Sequence, residues 1–179
     1  MSEIILPAVE LPDSGVETPR GRVSVPGPRI AEKRLAVDPG HIFGLLLAAR
    51  AAAEKAHAPY SRFHVGAALT MADDPAGTVF TGCNVENASY GATICAERNA
   101  IAAAAGAGFR KIALLAVSTC DSLSGPLPGR SPCGVCRQVI REFADARTLV
   151  LIDRDDASGI LCDVVDIDRL LPWGFALEP

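Results

Sequence analysis

The sequence predicts an α/β domain of three layers (a three-layer α/β/α sandwich), with helices on both faces of a mixed sheet. An opening hairpin is indicated by alternating apolar residues in 63–71, followed by an Asp/Pro/Gly turn at 73–77 and a second strand. Later in the chain, apolar strands alternate with helices, which is typical of a sheet covered on both faces. The 179 residues suffice for one domain with a sizeable core.

The predicted domain begins at Asp38-Pro39, because Asp caps helices and proline suits the first helical turn. This first helix runs to Ala56 and stops before Pro59. The remaining elements, in chain order, are strands at 63–71 and 78–83, a helix at 95–105, a strand at 112–118, a Pro/Gly/Ser-rich loop at 121–131, a helix at 133–144, strands at 148–152 and 160–165, and a short helix at 166–171.

Residues 1–37 carry five prolines and three glycines, which block a regular helix and favour an extended or disordered arm. We therefore expect two parts, a Pro-rich extension at 1–37 and the folded domain at 38–179. Two interpretations of the extension stay open: a dispensable appendage, or an arm laid across a neighbouring subunit.

Composition excludes several classes of partner. A net charge of −4 and only 5% aromatic residues argue against nucleic acid, which requires clustered basic residues and stacking platforms. No positively charged, apolar leader opens the sequence and no apolar run is long enough to span a bilayer, so we expect no secretory signal and no membrane partner. We expect a cytoplasmic protein with a small-molecule substrate, whose six cysteines are thiols.

Two short segments carry the chemistry: Cys95-Ala96-Glu97 and Pro132-Cys133-Gly134-Val135-Cys136. Each opens a predicted helix, where backbone N–H groups and the helix dipole favour thiolate over thiol. Thiolates suit Zn²⁺, and three protein ligands leave a fourth position open for water, as in catalytic sites. Glu97 points away from the Cys95 side chain on a helix, which favours proton transfer over metal ligation.

The two segments belong to four blocks that together resemble the homotetrameric zinc-dependent cytidine deaminase family, over roughly residues 38–177. The blocks, in the family's order, are Tyr60–Leu69, Gly82–Tyr90, Thr93–Arg98 and Ser131–Gln138. The resemblance implies a cytidine deaminase-like fold and one Zn²⁺ per subunit. It also implies hydrolytic deamination of cytidine and deoxycytidine to uridine and deoxyuridine with release of ammonia, a step of pyrimidine salvage.

By this resemblance, Cys95, Cys133 and Cys136 hold the zinc. Glu97 is the catalytic residue, which takes a proton from water and relays it to N3 of cytosine, and which then protonates the departing amine.

The substrate-binding residues follow from the same resemblance. Asn84 and Glu86 would hydrogen-bond a ribose hydroxyl, Phe63 would pack beside the base, and the backbone N–H of Ala96 would hold the pyrimidine carbonyl. Asn84 and Glu86 are also two residues apart in an extended segment, which places both side chains on one face.

Two further residues are implied to act between subunits of a homotetramer with shared active sites. Tyr90 would reach toward a neighbouring subunit's site, and Phe175 would cap the pyrimidine bound by an adjacent subunit.

Charge at the metal gives Arg98 a role. Three thiolates on Zn²⁺ leave a net charge of −1, which opposes ionisation of water, so a neighbouring cation is needed. Arg98, beside Glu97, is the candidate donor to the cysteine sulfurs.

Four alternatives remain. Cys133 and Cys136 also fit a dithiol redox motif, and three cysteines fit a structural zinc module less well, because the site is not closed. A deaminase of polynucleotides, or of a nucleoside antibiotic of the blasticidin type, would share the metal chemistry. Cys83, Cys120 and Cys162 lack ligand spacing and are expected to be buried thiols. The 121–131 loop is longer than the resemblance predicts and lies next to the Cys133 segment.

Overall fold

The computed structural model describes residues 1–155, 159 and 161–177. Its first 37 residues form a long two-stranded antiparallel ribbon. The outgoing strands are β1 (Ser2–Leu6), β2 (Val9–Glu10) and β3 (Ser14–Thr18), and the returning strands are β4 (Gly21–Val25), β5 (Arg29–Ile30) and β6 (Lys33–Val37). Pairing runs from Ser2 opposite Val37 at the base to Thr18 opposite Gly21 at the tip.

The prolines of this ribbon all lie between strands, where no ladder hydrogen bond is lost. At the tip, Val16 lies opposite Val23, and both are exposed together with Val25. The prolines and glycines thus indicated the absence of helix but not the pairing of the two halves.

The domain that follows has five helices and five strands among the described residues. In chain order they are α1 (Pro39–Ala53), β7 (Val65–Met71), β8 (Phe80–Cys83), α2 (Ala96–Gly106), β9 (Ile112–Thr119), α3 (Leu127–Arg130), α4 (Gly134–Phe143), β10 (Leu149–Asp153), β11 (Cys162–Val165) and α5 (Ile167–Leu170). The strand order is β11-β10-β9-β7-β8, with β9 and β10 parallel and the other neighbours antiparallel.

This mixed sheet has helices on both faces, which confirms the predicted fold class. One face packs against α1 through Leu45, Leu46 and Ala49. The other face packs against α2 and α4, where Ile101 and Ile140 are buried. Apolar burial on both faces of the central strands is the main stabilising contribution of such a sandwich.

The base of the ribbon belongs to the first of these cores. Leu6 and Val37 are buried with the residues of α1. Lys33 donates to Asp168 at 2.9 Å and its ammonium lies 2.8 Å from the carboxylate of Asp166. Both acidic residues lie at the start of α5, far from Lys33 in the sequence. The predicted division at residues 37 and 38 stays a prediction, and these contacts join the two parts.

The observed elements match the predicted ones with shifted ends. α1 begins at the predicted cap, where the Asp38 carboxylate accepts from the N–H of Gly40 at 3.0 Å. The 121–131 loop contains α3, and β9 extends to Thr119, one residue further than predicted. Residue 160 of the predicted last strand lies outside the described residues. No helix in the described ranges has the length and apolar character needed to cross a membrane.

Candidate metal centre and substrate cavity

Two helix starts meet beside the sheet. Cys95 caps α2 and Cys133 caps α4, both with extended backbone, and Cys136 lies buried in the first turn of α4. Gly82 of β8 allows α2 to approach closely, because a Cβ at that position would come within 2.5 Å of the backbone of Ala96. The sheet therefore fixes the position of the helix that carries Cys95.

The three cysteine sulfurs form a compact cluster within 4.8 Å of one another. The Sγ atoms of Cys95 and Cys133 are 3.9 Å apart. Two sulfurs bound at about 2.3 Å to a tetrahedral zinc ion lie about 3.8 Å apart, so the spacing of Cys95 and Cys133 matches that of two zinc ligands. Three sulfurs leave one tetrahedral position open.

The surroundings of Cys95 favour its thiolate form. The hydrogen bond from Cys136, together with the neighbouring Arg98, lowers the pKa of Cys95 to about 5. The resulting negative charge retains the proton of the pair on Cys136, whose pKa is raised. An Nη atom of Arg98 lies 3.8 Å from the Cys95 sulfur and donates to the carbonyl of Thr93 at 2.8 Å, which is the placement expected of the charge-offsetting cation.

Glu97 lies beside this cluster in the first turn of α2 and is only 4% exposed. Burial raises the pKa of its carboxyl to about 7, with a further contribution from the charge on Cys95. A carboxyl group with a pKa near neutrality is suited both to accept and to donate a proton at physiological pH.

A cavity of about 220 Å³ opens onto the cluster. Its lining brings together most of the residues that the sequence assigned to the site: Phe63, Asn84, Glu86, Cys95, Glu97 and Cys133. A partly enclosed space of this size admits one small molecule.

Asn84 and Glu86 also hold the cavity wall together. The Asn84 side chain accepts from the N–H of Val65 and donates to the carbonyl of Phe63, each at 2.8 Å. One carboxylate oxygen of Glu86 accepts from the N–H groups of Tyr60 and Ser61, at 2.9 and 3.2 Å. Each side chain keeps further hydrogen-bonding capacity, namely the second amide hydrogen of Asn84 and the second carboxylate oxygen of Glu86.

Three predicted substrate-binding residues are not among those that line this cavity. Ala96 is fully buried as the first residue of α2, where the backbone N–H groups have no intrahelical acceptor. Tyr90 is 80% exposed and borders an outer cavity that adjoins the first, because both are lined by Ser61, Glu86 and Thr93. Phe175 is 67% exposed and lines a groove beside α4 and α5, away from the sulfur cluster of its own chain.

The structure adds residues that the sequence did not single out. The 121–131 loop contributes Arg130 and Ser131 to the cavity lining, and β9 contributes Val117 and Thr119. The alternation of β9 was the available signal for Thr119, but the predicted strand ended one residue too early.

Hydrogen bonds hold the 121–131 loop in place near both of its ends. The buried Arg130 donates to the carbonyl of Asp153 at 2.6 Å and to the carboxylate of Asp163 at 2.7 Å. At the other end of the loop, the carboxylate of Asp121 accepts from the backbone N–H of His64 and lies 3.0 Å from its ring. The long loop is therefore held near both of its ends by side-chain hydrogen bonds.

A mixed sheet with helices on both faces, three sulfurs at two helix starts and a buried carboxylate beside them define the class of zinc-dependent hydrolytic deaminases. Residues 44–152 match the family model described as the cytidine and deoxycytidylate deaminase zinc-binding region. The chain belongs to the cytidine deaminase family.

Relatives in sequence and in structure agree with this. The chain is 43% identical over 127 residues to a cytidine deaminase of Halalkalibacterium halodurans, covering 71% of this chain and 88% of that protein. It is 46% identical over 127 residues to a cytidine deaminase of Mycobacterium tuberculosis, covering 71% and 84%. The crystal structure of cytidine deaminase from Burkholderia pseudomallei superposes with a TM-score of 0.62 at 44% identity, covering 74% of this chain and 98% of that one.

Proposed function

We propose that this protein is a zinc-dependent hydrolase that converts cytidine and deoxycytidine to uridine and deoxyuridine and releases ammonia. The observation that carries the proposal is the buried carboxyl of Glu97 beside the three-sulfur cluster, at one end of a cavity for a small molecule. Relatives named cytidine deaminase that cover most of the chain support cytidine as the substrate.

Cys95, Cys133 and Cys136 would hold the ion. Zinc bound there supplies a Lewis acid that makes water nucleophilic at neutral pH. Arg98 offsets part of the negative charge of the three thiolates through its contact with Cys95.

Glu97 moves the protons. Its carboxylate accepts a proton from water as the C4–O bond forms, and passes it to N3 of the pyrimidine. The same carboxylate then takes the remaining proton from the new C4 hydroxyl and delivers it to the amine while the C4–N bond breaks, so that cytidine and water yield uridine and ammonia. The pKa near 7 that burial produces suits both transfers.

The rest of the cavity would hold the nucleoside. Phe63 would lie against the base, and the free hydrogen-bonding groups of Asn84 and Glu86 would bind the ribose. The N–H of Ala96, at the start of α2, would bind the pyrimidine carbonyl.

The working form would be a cytoplasmic homotetramer whose active sites are shared between subunits. The support is the position of Tyr90 and Phe175, which are exposed aromatic residues outside the cavity of their own chain.

Glu97→Gln tests the proposal. The substitution retains shape but removes the base, so turnover of cytidine should fall at least ~10²–10⁴-fold while zinc content and melting temperature stay near those of the wild type. Zinc per chain and uridine formation would be measured on the same preparation. Glu54→Gln, an exposed carboxylate at the end of α1, is the matched control. Activity of Glu97→Gln within a few-fold of wild type would contradict the proposed role.

A further inference from the structure

The wall that β9 contributes to the cavity has a definite orientation. Side chains alternate along a strand, and Ser118 points toward α1, where its hydroxyl donates to the carboxylate of Asp153 at 2.6 Å. Val117 and Thr119 therefore point to the opposite face, the side on which α2 and α4 carry the sulfur cluster. Both residues line the cavity together with Glu97.

Unlike the hydroxyl of Ser118, the hydroxyl of Thr119 has no hydrogen-bond partner among the described residues. Thr119 is 5% exposed, and its Oγ1 atom is buried without a hydrogen-bond partner among the described residues. Leaving a buried hydroxyl unpaired costs free energy, and valine has nearly the same shape without that cost. A hydroxyl at the wall of a binding cavity is compensated when a ligand supplies the partner.

The surroundings indicate what kind of group that partner is. Phe63, Val65 and Val117 make the nearby lining apolar, as expected for contact with the face of a ring. Apolar residues bind the ring by contact with its face, and a hydroxyl among them determines how the ring is oriented. Because a hydroxyl both donates and accepts, it can pair with either the amine or the carbonyl edge of a cytosine base.

We propose that Thr119 is a further substrate-binding residue, whose hydroxyl forms a hydrogen bond with the polar edge of the pyrimidine base. The inference rests on the proposed function and adds a contact to the same site. A bond to the carbonyl edge, which the reaction leaves unchanged, strengthens binding of the ground state and the transition state equally. Its loss should therefore appear in KM and not in kcat.

Thr119→Val tests this inference. KM for cytidine should rise about tenfold with kcat within about twofold of the wild type, since one neutral hydrogen bond is lost. Zinc content should stay the same, and the melting temperature should stay the same or rise, because the variant no longer buries an unpaired hydroxyl in its ligand-free form. Thr119→Ser, which retains the hydroxyl, should keep KM close to that of wild type. Thr119→Ala removes the same hydroxyl and replaces the valine variant if that variant does not fold.

Thr70→Val is the matched control. Thr70 of β7 is 4% exposed, its hydroxyl is also buried without a partner in the described part of the chain, and it does not line the cavity. This variant should leave KM unchanged. The inference would be overturned if KM were unchanged in Thr119→Val, or if KM rose equally in Thr70→Val. It would also be overturned if the rise in KM came with loss of zinc or of thermal stability. In each case the activity of the wild-type protein would leave the proposed function intact. Wild-type protein that carries zinc and does not deaminate cytidine would overturn both.

Discussion

Arg98 shows how one side chain can serve the metal without binding it. Its guanidinium lies 3.8 Å from the sulfur of Cys95 and is held by the carbonyl of Thr93, so its position is set by the backbone just before α2. Contact with the Cys95 sulfur stabilises the thiolate that a metal ion requires. The sequence indicated this role through charge alone, and the structure supplies the contact.

Arg98→Gln is expected to lower zinc affinity or turnover by roughly tenfold or more, as for other residues that contact metal ligands. Zinc retained per chain after dialysis against a graded series of chelator concentrations, together with the rate of cytidine deamination, would measure the effect. Arg22→Gln removes the same charge from the exposed tip of the ribbon and is the control. Equal zinc retention and equal rates in the two variants would show that the thiolate charge is offset elsewhere.

The residues of the site were predictable to different extents. Cys95, Cys133 and Cys136 were predictable because their two segments each open a helix, and helix starts are visible in local sequence. Asn84 was assigned to the substrate, and the structure shows its amide also holding the backbone of Phe63 and Val65. Such cross-strand contacts depend on which residues of two strands come to lie side by side, and the local sequence around Asn84 does not contain that information.

Among the elements, the ribbon depends on contacts with parts of the chain far from it. Lys33 is 15% exposed and lies 2.8 Å from Asp166 and 2.9 Å from Asp168, while Arg169 of α5 donates to the carbonyl of Pro7. An isolated two-stranded hairpin is marginally stable in water. The base of the ribbon is therefore stabilised by α5 and by burial of Leu6 beside α1.

Lys33→Met should lower the free energy of unfolding by about 1–3 kcal/mol, since the apolar stem is retained but hydrogen bonds to charged groups are lost. The Lys33 ammonium lowers the pKa of the Asp168 carboxyl below its ordinary value. This stabilisation is present above the unfolded-state pKa of Asp168 and is lost as pH falls through the lower, folded-state pKa. The difference between variant and wild type should thus be full at pH 7 and shrink below about pH 4.

Denaturant unfolding at several pH values would measure this difference. Arg34→Met is the control, because Arg34 lies on the same strand, is exposed and, within the described ranges, pairs with Glu3 and Glu32 at the surface. Its effect should be within about 1 kcal/mol. A Lys33→Met variant as stable as Arg34→Met at neutral pH would show that the Lys33 ion pairs contribute no more than a surface pair does.

The elements from α1 to α5 were predictable because each has its own cap, period or turn. The pairing of the ribbon was not, since its strands are short, contain glycine and are interrupted by proline. Residues as far apart as Ser2 and Val37 pair because α1 and α5 hold the base in place. The sequence therefore predicted that residues 1–37 are extended, but it did not predict which strands pair with each other.

At the scale of the whole molecule, the C-terminal segment leads away from the cavity. Phe175 lies in the groove beside α4, and its carbonyl accepts from the side chain of Gln138 at 2.9 Å. Trp173 and Leu177 on either side are also exposed, at 66% and 79%. A run of exposed apolar residues held at a fixed place favours contact with another subunit.

Subunit exchange tests whether active sites are shared. Phe175→Ala alone should lower kcat/KM by ~5–150-fold, since stacking of an aromatic side chain on a base contributes about 1–3 kcal/mol. When Glu97→Gln and Phe175→Ala subunits are mixed, some sites would combine an intact Glu97 and an intact Phe175 from different chains. Part of the activity should then return, measured as uridine formation after exchange.

The exchange itself would be followed by native mass spectrometry of subunits of different mass. Full exchange without any gain in activity, starting from a weakly active Phe175→Ala parent, would exclude sharing through Phe175. Phe43→Ala, an exposed phenylalanine on α1, is the control for the loss of a surface ring.

The ion pair between Lys33 and Asp168 joins residues that are 135 positions apart, and this separation sets an order of events during synthesis. The tip of the ribbon closes over a two-residue turn as soon as it emerges, in roughly 1–10 μs. At about 5–20 residues per second, the ribosome needs roughly ten seconds or more to reach α5. Between these two moments the nascent ribbon lacks the carboxylate partners of Lys33, so a segment made earlier is anchored only when a later one has been made.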